Sequence, residues 1–524
     1  MTKSRKPKLL MIALDAGELR LVEQLVQEGK LPNIGRLREK SALARVKSVT
    51  EWFVAGPWPS FYTGTHPAEH GIYHYLPWNP HEMASQPPAA DEFSREPFWR
   101  DFQLQGLNTL IIDAPMVHPP PRSGSGVEIC GWCTHDYLSE PWVNPVSVRE
   151  RLDASGLARV NLTETQRPMD ADMLGRLTDT INESTRSIRE LALNLLDSQP
   201  WDFALVSFTA THIGGHQLWR DTSLDPDIGE KLSELRTAAF ESIYVNCDLA
   251  VGSLVEAVPD GTMIVLASLH GIEANTSRGE LLPDMLQLIL SGQDNHRTDE
   301  GSVFRLLRVM RESLPRDWRH TVKKRLPRSL QHWLTGLWRT GGKDWSRTKA
   351  FALIPDLQGY IRINLQGREA KGLVKPGKEY DALCDQIITG LTQFVDADTG
   401  IPVVAEAKRM NEICSGFPDL NHLPDIAIKW SEKPCSAHRE ITSPYGSIPW
   451  PTPGLDFDGR SGNHRPYGFF WASGSCIQPR TNLPDVDIKD LAPTLYDIFS
   501  VSKPAHMHGQ SFLGRMSLDN QDSS

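Results

Sequence analysis

A short apolar run near the start of the chain, Leu9–Leu14, places the strongest constraint on the fold. It has the length of a strand that is buried on both faces, and it is followed by Asp15 and by an amphipathic helical pattern from Leu19 to Val26. Apolar runs at 109–113, 203–208 and 263–267 predict further strands, and helical patterns at 185–196 and 232–258 lie between or beside them. This alternation predicts an α/β fold, a doubly wound and mostly parallel sheet flanked by helices.

Composition excludes several classes of protein. The chain has 524 residues, of which 40% are hydrophobic and 23% charged, as is typical of globular proteins. A net charge of −10 argues against general nucleic-acid binding, and seven scattered cysteines favour a reducing compartment over a disulfide framework. Because no apolar run has the length of a signal peptide or a membrane span, we expect a cytoplasmic protein without integral membrane association.

Two segments depart from the α/β pattern. We predict one core from residues 8–275 and 345–515, interrupted by a basic and mainly helical insertion at 276–344, and a disordered tail at 516–524. The stretch 305–343 carries eleven Lys or Arg residues against two acids, with interleaved tryptophans. Three interpretations of the insertion remain open: a solvated helical segment with a small core of its own, a cap that brings positive charge to a pocket, or a surface for anionic lipid.

Polar residues of four segments that are distant in the chain are candidates for chemistry. Asp15 ends the first strand, and His212 and His216 flank a Gly-Gly pair that we predict to be a loop after another strand. His270 follows the strand at 263–267, and His464 precedes an apolar run. Ligands of open α/β sheets bind at the carboxyl ends of strands, and imidazoles suit zinc, iron and manganese. The alternatives are a helix N-cap for Asp15 and a buried, hydrogen-bonded pair for the histidines.

The pair Cys130 and Cys133 is a lone Cys-x-x-Cys motif. Zinc normally takes four ligands, so two cysteines alone are a weak signal for a metal or redox site. We therefore favour a packed turn at this position.

The segment at 48–72, SVTEWFVAGPWPSFYTGTHPAEHGI, resembles the nucleophile segment of the type I phosphodiesterase/nucleotide pyrophosphatase family, which belongs to the alkaline phosphatase superfamily. Other stretches resemble structural signatures of bacterial members, and the resemblance covers about residues 8 to 515. They are Glu96-Pro-Phe-Trp99, the segment from Asp113 to Pro120, Gly131-Trp132, Trp201-Asp202, the segment from Trp345 to Ala350, the segment from Asn364 to Arg368, and the segment from Asp490 to Thr494. The resemblance implies an alkaline phosphatase-like fold and two divalent metals, usually zinc, beside a phosphate pocket.

The resemblance also implies which positions hold the metals. His212, His216 and His464 match the ligands of one metal, and His212 stands where the family has Asp. The second metal would be held by four positions, Asp15, Val54, Leu269 and His270. Val54 stands nine residues before Thr63, in the place of the nucleophilic Thr or Ser, and Leu269 stands in the place of an Asp.

These departures predict one metal rather than two. Three neutral imidazoles form a ligand set that zinc enzymes use to activate water, and iron or manganese would also suit it. We therefore expect about one divalent metal per chain, with Asp15 and His270 as further ligands of it or as groups that hydrogen-bond to its ligands.

Other positions are candidates for the nucleophile and for substrate binding. A substituted nucleophile, Thr50 or Ser60, would require a changed backbone path. Gly56 precedes a proline that favours a helix start, where an anion can dock, and Asn463 adjoins His464. Gly56 and Asn463 are therefore predicted to bind substrate.

Two functions follow, from different classes. The first is a divergent metal-dependent enzyme that acts on a small phosphorylated or related anionic substrate without a covalent Thr or Ser intermediate, or that performs redox chemistry on iron. The second is a non-catalytic relative that binds a phosphorylated ligand or partner. The loss of the nucleophile favours the second, whereas an additional histidine at position 212 favours the first.

Overall fold

A computed structural model describes residues 6–88, 95–120, 124–134, 140–160, 162, 170–219, 230–291, 343–353, 357–432, 440–450 and 460–517. The strands are β1 (Leu9–Leu14), β2 (Ala42–Lys47), β3 (Trp78–Asn79), β4 (Ala84–Ser85), β5 (Thr109–Ile112), β6 (Val127–Cys130), β7 (Trp142–Asn144), β8 (Phe203–Phe208), β9 (Met263–Ser268), β10 (Gly271–Ala274), β11 (Ala350–Ala352), β12 (Gly359–Ile363), β13 (Val395–Asp396), β14 (Val404–Arg409), β15 (Ile426–Trp430), β16 (Glu440–Ser443), β17 (Gly446–Pro449), β18 (Gly462–Arg465), β19 (Tyr467–Ser473) and β20 (Val486–Asp487).

The helices alternate with these strands in the first half of the chain. They are α1 (Leu19–Gln27), α2 (Pro32–Glu39), α3 (Pro57–Thr63), α4 (Pro67–His70), α5 (Phe98–Leu104), α6 (Val146–Ser155), α7 (Ala171–Ser198), α8 (Ala210–Leu218), α9 (Glu230–Ala257), α10 (Leu282–Ser291), α11 (Lys378–Leu391), α12 (Met410–Ile413), α13 (Leu491–Ile498) and α14 (Leu513–Met516). Short 3₁₀ helices cover Gly279–Leu281 and Ile488–Asp490.

The chain divides into two compact units. The first comprises Met1–Tyr75, Ala89–Asn275 and Gly454–Ser524. Its nine-stranded sheet has the order β20-β2-β19-β9-β1-β8-β5-β6-β7. The five strands from β9 to β6 are mutually parallel, whereas β19 and β7 run antiparallel to their neighbours. The predicted mostly parallel α/β sheet is confirmed.

Strand β1 lies in the middle of this sheet and is buried on both faces. Its alternate side chains enter two different hydrophobic clusters, because successive residues of a strand point to opposite faces. Leu10, Ile12 and Leu14 pack with α1, α2, α7, α8 and α9 on one face. The other face, which includes Leu9 and Met11, packs against α3, α5 and α13. Helices on both faces explain why the strand has no polar position.

Helix α9 is long and apolar enough, from Lys231 to Ala257, to cross a membrane by length and composition alone. Its apolar side chains, among them Phe240, Tyr244 and Val251, belong to the hydrophobic core beside β1. A core helix passes the same test, so this observation is weak evidence for a membrane span.

The second unit comprises Leu76–Pro88 and Thr276–Pro453. It contains a four-stranded antiparallel sheet, β11-β12-β15-β14, and a three-stranded sheet, β13-β16-β17, with a core of its own. Helices α10 and α11 contribute Met285, Ile289 and Ile387 to that core. The contacts thus group residues 345–453 with this unit, whereas the sequence analysis joined them to the α/β core.

Two of the predicted segments lie partly outside the described residues. Of the predicted insertion, residues 292–342 are not described, and the stretch before them forms α10. The predicted tail begins at Met516, but that side chain is fully buried in the core beside β1, and Ser517 pairs with Ile477. Residues 518–524 lie outside the description.

Candidate metal centre

Helix α8 carries the first two candidate ligands. The sequence analysis assigned a loop to the Gly-Gly pair between His212 and His216, and this was wrong, because residues 210–218 form a continuous buried helix. Residues four apart lie on the same helix face, so both imidazoles point the same way. The helix follows β8 directly and therefore begins at the carboxyl edge of the sheet.

A two-stranded antiparallel ribbon, β10 paired with β18, carries the third candidate. His464 lies opposite Ile272 in this ribbon. Close approach of the ribbon to α8 requires glycine at two positions. A Cβ on Gly462 would stand 2.1 Å from the carbonyl oxygen of Gly215, and a Cβ on Gly215 would meet Ile272 at 2.9 Å. The glycines between and beside the histidines therefore allow the two elements to bring their imidazoles together.

The Nε2 atoms of His212, His216 and His464 converge on one point. The distance from His212 to each of the other two is 2.9 Å, and the remaining distance is 3.1 Å. Among the residues that the structure describes, these three form the group that could hold a metal ion. A tetrahedral zinc with bonds of ~2.0–2.1 Å separates its nitrogen ligands by ~3.3 Å, so the cluster needs only a slight expansion to accept one.

The partners of the Nδ1 atoms determine which way the lone pairs point. His216 Nδ1 lies 2.8 Å from the carbonyl oxygen of Gly462, which can only accept, so this nitrogen carries the proton and Nε2 carries the lone pair. His212 Nδ1 lies 3.2 Å from Asp15 Oδ2, within ion-pair distance although outside ideal hydrogen-bond geometry. The carboxylate favours a proton on Nδ1 and a lone pair on Nε2. Two lone pairs 2.9 Å apart require a cation between them.

The third imidazole of the group, His464, is held in its neutral form. Burial lowers the pKa of His464 well below its usual value, and the neighbouring imidazoles of His270, His216 and His212 lower it further. His464 Nδ1 has no hydrogen-bond partner within the described ranges, so no protein group there fixes its tautomer. Neutral imidazoles that face one another are what a divalent metal needs, and the residues present fit such an ion.

Asp15 lies beside the cluster rather than within it. Its Oδ1 accepts a hydrogen bond of 2.9 Å from Trp58 Nε1, and its Oδ2 faces His212. Burial acts to raise the pKa of Asp15, but the neighbouring imidazoles of His212 and His270 and the hydrogen bond from Trp58 outweigh it. The pKa of this carboxyl is therefore far below its usual value, and the group is ionised.

His270 also lies outside the group of three. Its Nε2 is 3.7 Å from Asp15 Oδ1, and its ring centroid is 4.2 Å from that of His464. Strands β1 and β9 are parallel neighbours, which brings Asp15 and His270 to the same edge of the sheet. Three of the five predicted ligands thus share one possible ion, and the other two adjoin them.

Val54 and Leu269, the two apolar residues predicted to stand in place of a nucleophile and an Asp, are both buried. Val54 lies in the turn before α3, with an exposed fraction of 5%, and Leu269 belongs to the core cluster that also contains Trp58. Neither side chain can bind a metal or attack an ester. That these positions match the family's nucleophile and Asp stays a prediction.

Ser60, one of the two possible substitutes for the nucleophile, is not activated by its histidine. His70 Nδ1 accepts a hydrogen bond from the backbone N–H of Ile72, so the proton of the neutral ring is on Nε2. That Nε2 lies 3.0 Å from Ser60 Oγ and donates to it. A ring that donates cannot take the hydroxyl proton, so His70 holds Ser60 in place instead of serving as its base.

The two predicted substrate-binding residues have different environments. Gly56 is the N-cap of α3, but its N–H donates to the carbonyl of Phe53, and a Cβ there would stand 2.8 Å from Val49. Packing thus accounts for this glycine. Asn463 precedes His464 in β18, and its Oδ1 is buried and has no hydrogen-bond partner among the residues described. The substrate-binding role of both residues stays a prediction.

The Cys-x-x-Cys motif forms a packed turn. Cys130 and Cys133 are buried, and burial raises the pKa of Cys133 to about 12, which keeps it as an unreactive thiol. The carboxylate of Asp113 accepts the backbone N–H groups of Trp132 and Cys133, both at 2.7 Å, and this organises the turn.

The sequence analysis missed two residues that hold the site together. Trp58 donates to Asp15, and Glu18 accepts the backbone N–H of Ile272, the partner of His464 in the ribbon. Glu18 is buried, and its own N–H donates to the hydroxyl of Tyr244. Burial raises the pKa of Glu18. The nearness of Trp58 to position 54 in sequence was a signal for its role, whereas nothing in the sequence pairs Glu18 with residue 272.

Comparison with known proteins identifies the family. The profile of the type I phosphodiesterase/nucleotide pyrophosphatase family matches residues 9–333, more than half of the chain. The chain belongs to this family. No protein of curated function matches it significantly. The phosphodiesterase/nucleotide pyrophosphatase family consists of hydrolases, so family membership agrees with a hydrolase-like enzyme.

Solved structures agree with the family at the level of the fold. Phosphonoacetate hydrolase from Sinorhizobium meliloti 1021, in complex with phosphonoformate, is 14% identical with a TM-score of 0.51, and the match covers 95% of this chain and 96% of that one. Human ectonucleotide pyrophosphatase/phosphodiesterase 5 is 12% identical with a TM-score of 0.50 and coverages of 97% and 98%. The alkaline phosphatase-like architecture expected from the sequence is confirmed.

Proposed function

We propose that this member of the phosphodiesterase/nucleotide pyrophosphatase family is a metal-dependent enzyme with a single, histidine-rich metal site. It acts on a phosphorylated or related anionic ester without a covalent Thr or Ser intermediate. The observation that carries the proposal is the convergence of three Nε2 atoms within 3.1 Å, two of them with lone pairs directed inward by the groups at Nδ1. Such an arrangement is repulsive without a cation.

His212, His216 and His464 would hold the ion. Zinc is the first expectation for three imidazoles, and iron or manganese would also suit the set. When bound, such a metal supplies a Lewis acid that polarises an ester and activates water. The apolar residues Val54 and Leu269 support one metal rather than two, because they bring no charge or ligand to the remaining groups.

The chain's own residues support a reaction without a covalent intermediate. Val54 offers no nucleophile, and Ser60 is held by a donating His70. Because His464 has the largest exposed fraction of the three ligands, 9%, a substrate would reach the ion from its side. Asn463 precedes His464 in β18, and its buried amide oxygen has no partner in the described structure, which supports a polar contact with substrate.

Metal analysis and turnover together test the proposal. Protein purified without chelators is analysed for all first-row metals and assayed on an aryl phosphodiester, a nucleotide diester and phosphonoacetate. The last is chosen because a structural neighbour is named for its hydrolysis. We expect about one metal per chain and metal-dependent turnover of one of these classes. Two equivalents of metal, or a trapped phosphorylated Thr50 or Ser60, would contradict the single-metal mechanism.

The second candidate is a non-catalytic relative that binds a phosphorylated ligand. The observation that favours it is the absence of a side-chain oxygen at Val54 and Leu269. Saturable binding of inorganic phosphate or a nucleotide without turnover of any substrate in the panel would support this candidate. Bound iron with no hydrolysis would instead support redox chemistry at the same imidazoles.

We also propose a reducing, cytoplasmic location. In the described part of the chain, six cysteines are present and none is in a disulfide, which supports this location.

A further inference from the structure

We propose that Asp15 is a positioning residue rather than a metal ligand, and that it holds His212 in the tautomer that presents Nε2 to the metal. Trp58 in turn holds Asp15. This inference rests on the proposed single-metal site and gives a role to Asp15 and Trp58, which lie beside it.

The first argument is the side of the imidazole that Asp15 occupies. Its Oδ2 faces His212 Nδ1 at 3.2 Å, whereas His212 Nε2 faces the other two histidines. The two ring nitrogens point in different directions, so an oxygen at Nδ1 is directed away from an ion at Nε2. Asp15 is accordingly absent from the group of described residues whose ligand atoms share one centre. A carboxylate at the second nitrogen fixes the tautomer and raises the basicity of the ligand.

The second argument is the orientation of the carboxylate. Trp58 Nε1 donates to Oδ1 at 2.9 Å, and both side chains are buried. Trp58 packs edge-on against Phe61 and so is itself held by the core of α3. The donor at Oδ1 leaves Oδ2 directed at His212, and the carboxylate has one preferred rotation.

The third argument is the backbone of Asp15. Its N–H donates to Phe208 at the end of β8, and its carbonyl accepts Thr211 Oγ1 at 2.5 Å. Thr211 immediately precedes His212 in α8. Asp15 therefore ties the start of the helix through its main chain and orients the first imidazole through its side chain. The acid at the end of β1 thus links the sheet to the start of α8 and to its first ligand, His212.

Metal affinity separates positioning from ligation. Wild type, Asp15→Asn, Trp58→Phe and Asp248→Asn are stripped of metal, and their zinc affinity is measured by competition with a chelator. Asp248 is the matched control, since it is equally buried and accepts backbone N–H groups at the start of α2. We expect Asp15→Asn to lower zinc affinity ~10–100-fold, Trp58→Phe to lower it measurably but by less than ~10-fold, and Asp248→Asn to leave it unchanged.

The visible absorption of the Co²⁺-substituted proteins provides a readout that a general loss of stability would not change. A positioning role predicts that Asp15→Asn, saturated with Co²⁺, keeps the band intensity of the wild type, because the number of ligands is the same. A change of intensity that indicates one ligand fewer would overturn the inference, as would a wild-type zinc affinity in Asp15→Asn.

The outcomes distinguish this inference from the proposed function. A wild type that binds no metal defeats the proposed function and the inference together. A wild type with one equivalent, beside an Asp15→Asn variant of equal affinity, defeats only the inference. Circular dichroism establishes that each variant is folded. If Asp15→Asn does not fold, Trp58→Phe decides, and an unchanged zinc affinity in that variant counts against the proposal.

Discussion

Two pairs of histidines in the first unit have the same spacing and opposite chemistry. His66 and His70 are four residues apart, and so are His212 and His216. Both pairs are associated with helices, and three of the four rings are buried. The difference between them lies in what faces each Nδ1 atom.

In the first pair, Nδ1 accepts a hydrogen bond in both rings. His66 accepts from the backbone N–H of Ala68 as the N-cap of α4, and His70 accepts from that of Ile72. The proton of each neutral ring is therefore on Nε2. Burial, followed by the charge of Lys489, lowers the pKa of His66 to about 4, so the ring is neutral near physiological pH. These imidazoles complete turns and have no lone pair on Nε2 for a metal.

In the second pair, Nδ1 faces acceptors. The carboxylate of Asp15 and the carbonyl of Gly462 draw the protons to Nδ1 and leave two Nε2 lone pairs 2.9 Å apart. The spacing of two histidines therefore does not by itself identify them as metal ligands. The group that faces the second ring nitrogen identifies them.

The largest expected effect comes from removing one ring of each pair. His216→Ala should lower metal affinity by more than ~100-fold, because a ligand is lost. His70→Ala should keep the metal and lower the free energy of unfolding by about 1–3 kcal/mol, because Ser60 and the N–H of Ile72 lose their partner. Elemental analysis and urea denaturation of both variants measure the two effects. Equal metal content in His216→Ala and wild type would contradict the assignment of His216 as a metal ligand.

Removing the metal tests the same distinction without mutation. At a free metal concentration ~1,000 times the dissociation constant, binding adds about 4 kcal/mol to the free energy of unfolding. We expect dialysis against a chelator to lower the Tm of the wild type and of His70→Ala, and to leave that of His216→Ala where it was. Calorimetry measures the three shifts. A wild type whose Tm does not respond would show that a proton, and not a metal, lies among the imidazoles.

The sequence predicted the central elements because their burial is simple. Strands β1 and β8 have the predicted bounds, since every position is buried, on both faces of the sheet. Asp15, His212, His216 and His270 were predicted to lie near one another, since strand ends of a parallel sheet meet at one edge, whereas His464 was added to them by the family resemblance.

The rest depended on contacts that no local pattern records. The Gly-Gly pair suggested a loop, but tight packing of the ribbon on α8 explains both glycines within a helix. The rotation of the His212 ring, which places Asp15 outside the group of three, is set by a partner 197 positions away in sequence. The periodicity of residues 350–430 also does not reveal that their strands form a separate antiparallel sheet.

A smaller effect is expected in the pH dependence of stability, through His66, the N-cap of α4. The pKa of His66 is about 4 in the folded state and ~6.5 when unfolded, so between these values the unfolded chain binds more protons. Its contribution to stability is complete above pH ~6.5 and is lost as the pH falls towards 4. His66→Asn keeps a capping oxygen that does not titrate. Between pH ~7 and ~4, the free energy of unfolding of this variant should fall by about 1–2 kcal/mol less than that of the wild type. Urea denaturation at each pH measures this difference.

The control for this prediction is the same substitution at a histidine whose side chain is largely exposed, His508→Asn. Its pH profile should follow that of the wild type. A His66→Asn profile that also follows the wild type would show that the cap ring does not resist protonation.

The smallest effect is expected from restoring a hydroxyl alone. Val54→Thr supplies an oxygen at the predicted nucleophile position, but Leu269 and His212 still deny a second metal its charge and ligands. We expect no phosphorylated enzyme and no gain of phosphodiester hydrolysis in this variant. The triple variant Val54→Thr, His212→Asp, Leu269→Asp replaces one imidazole of the pair His212 and His216. It should raise bound metal from about one to about two equivalents, with some hydrolysis. Mass spectrometry for a phosphoryl group on the introduced threonine, metal analysis and turnover on one diester compare the three proteins. A phosphorylated intermediate in the single variant would show that the cluster of imidazoles already supports the covalent chemistry, and that the missing hydroxyl was its only deficit.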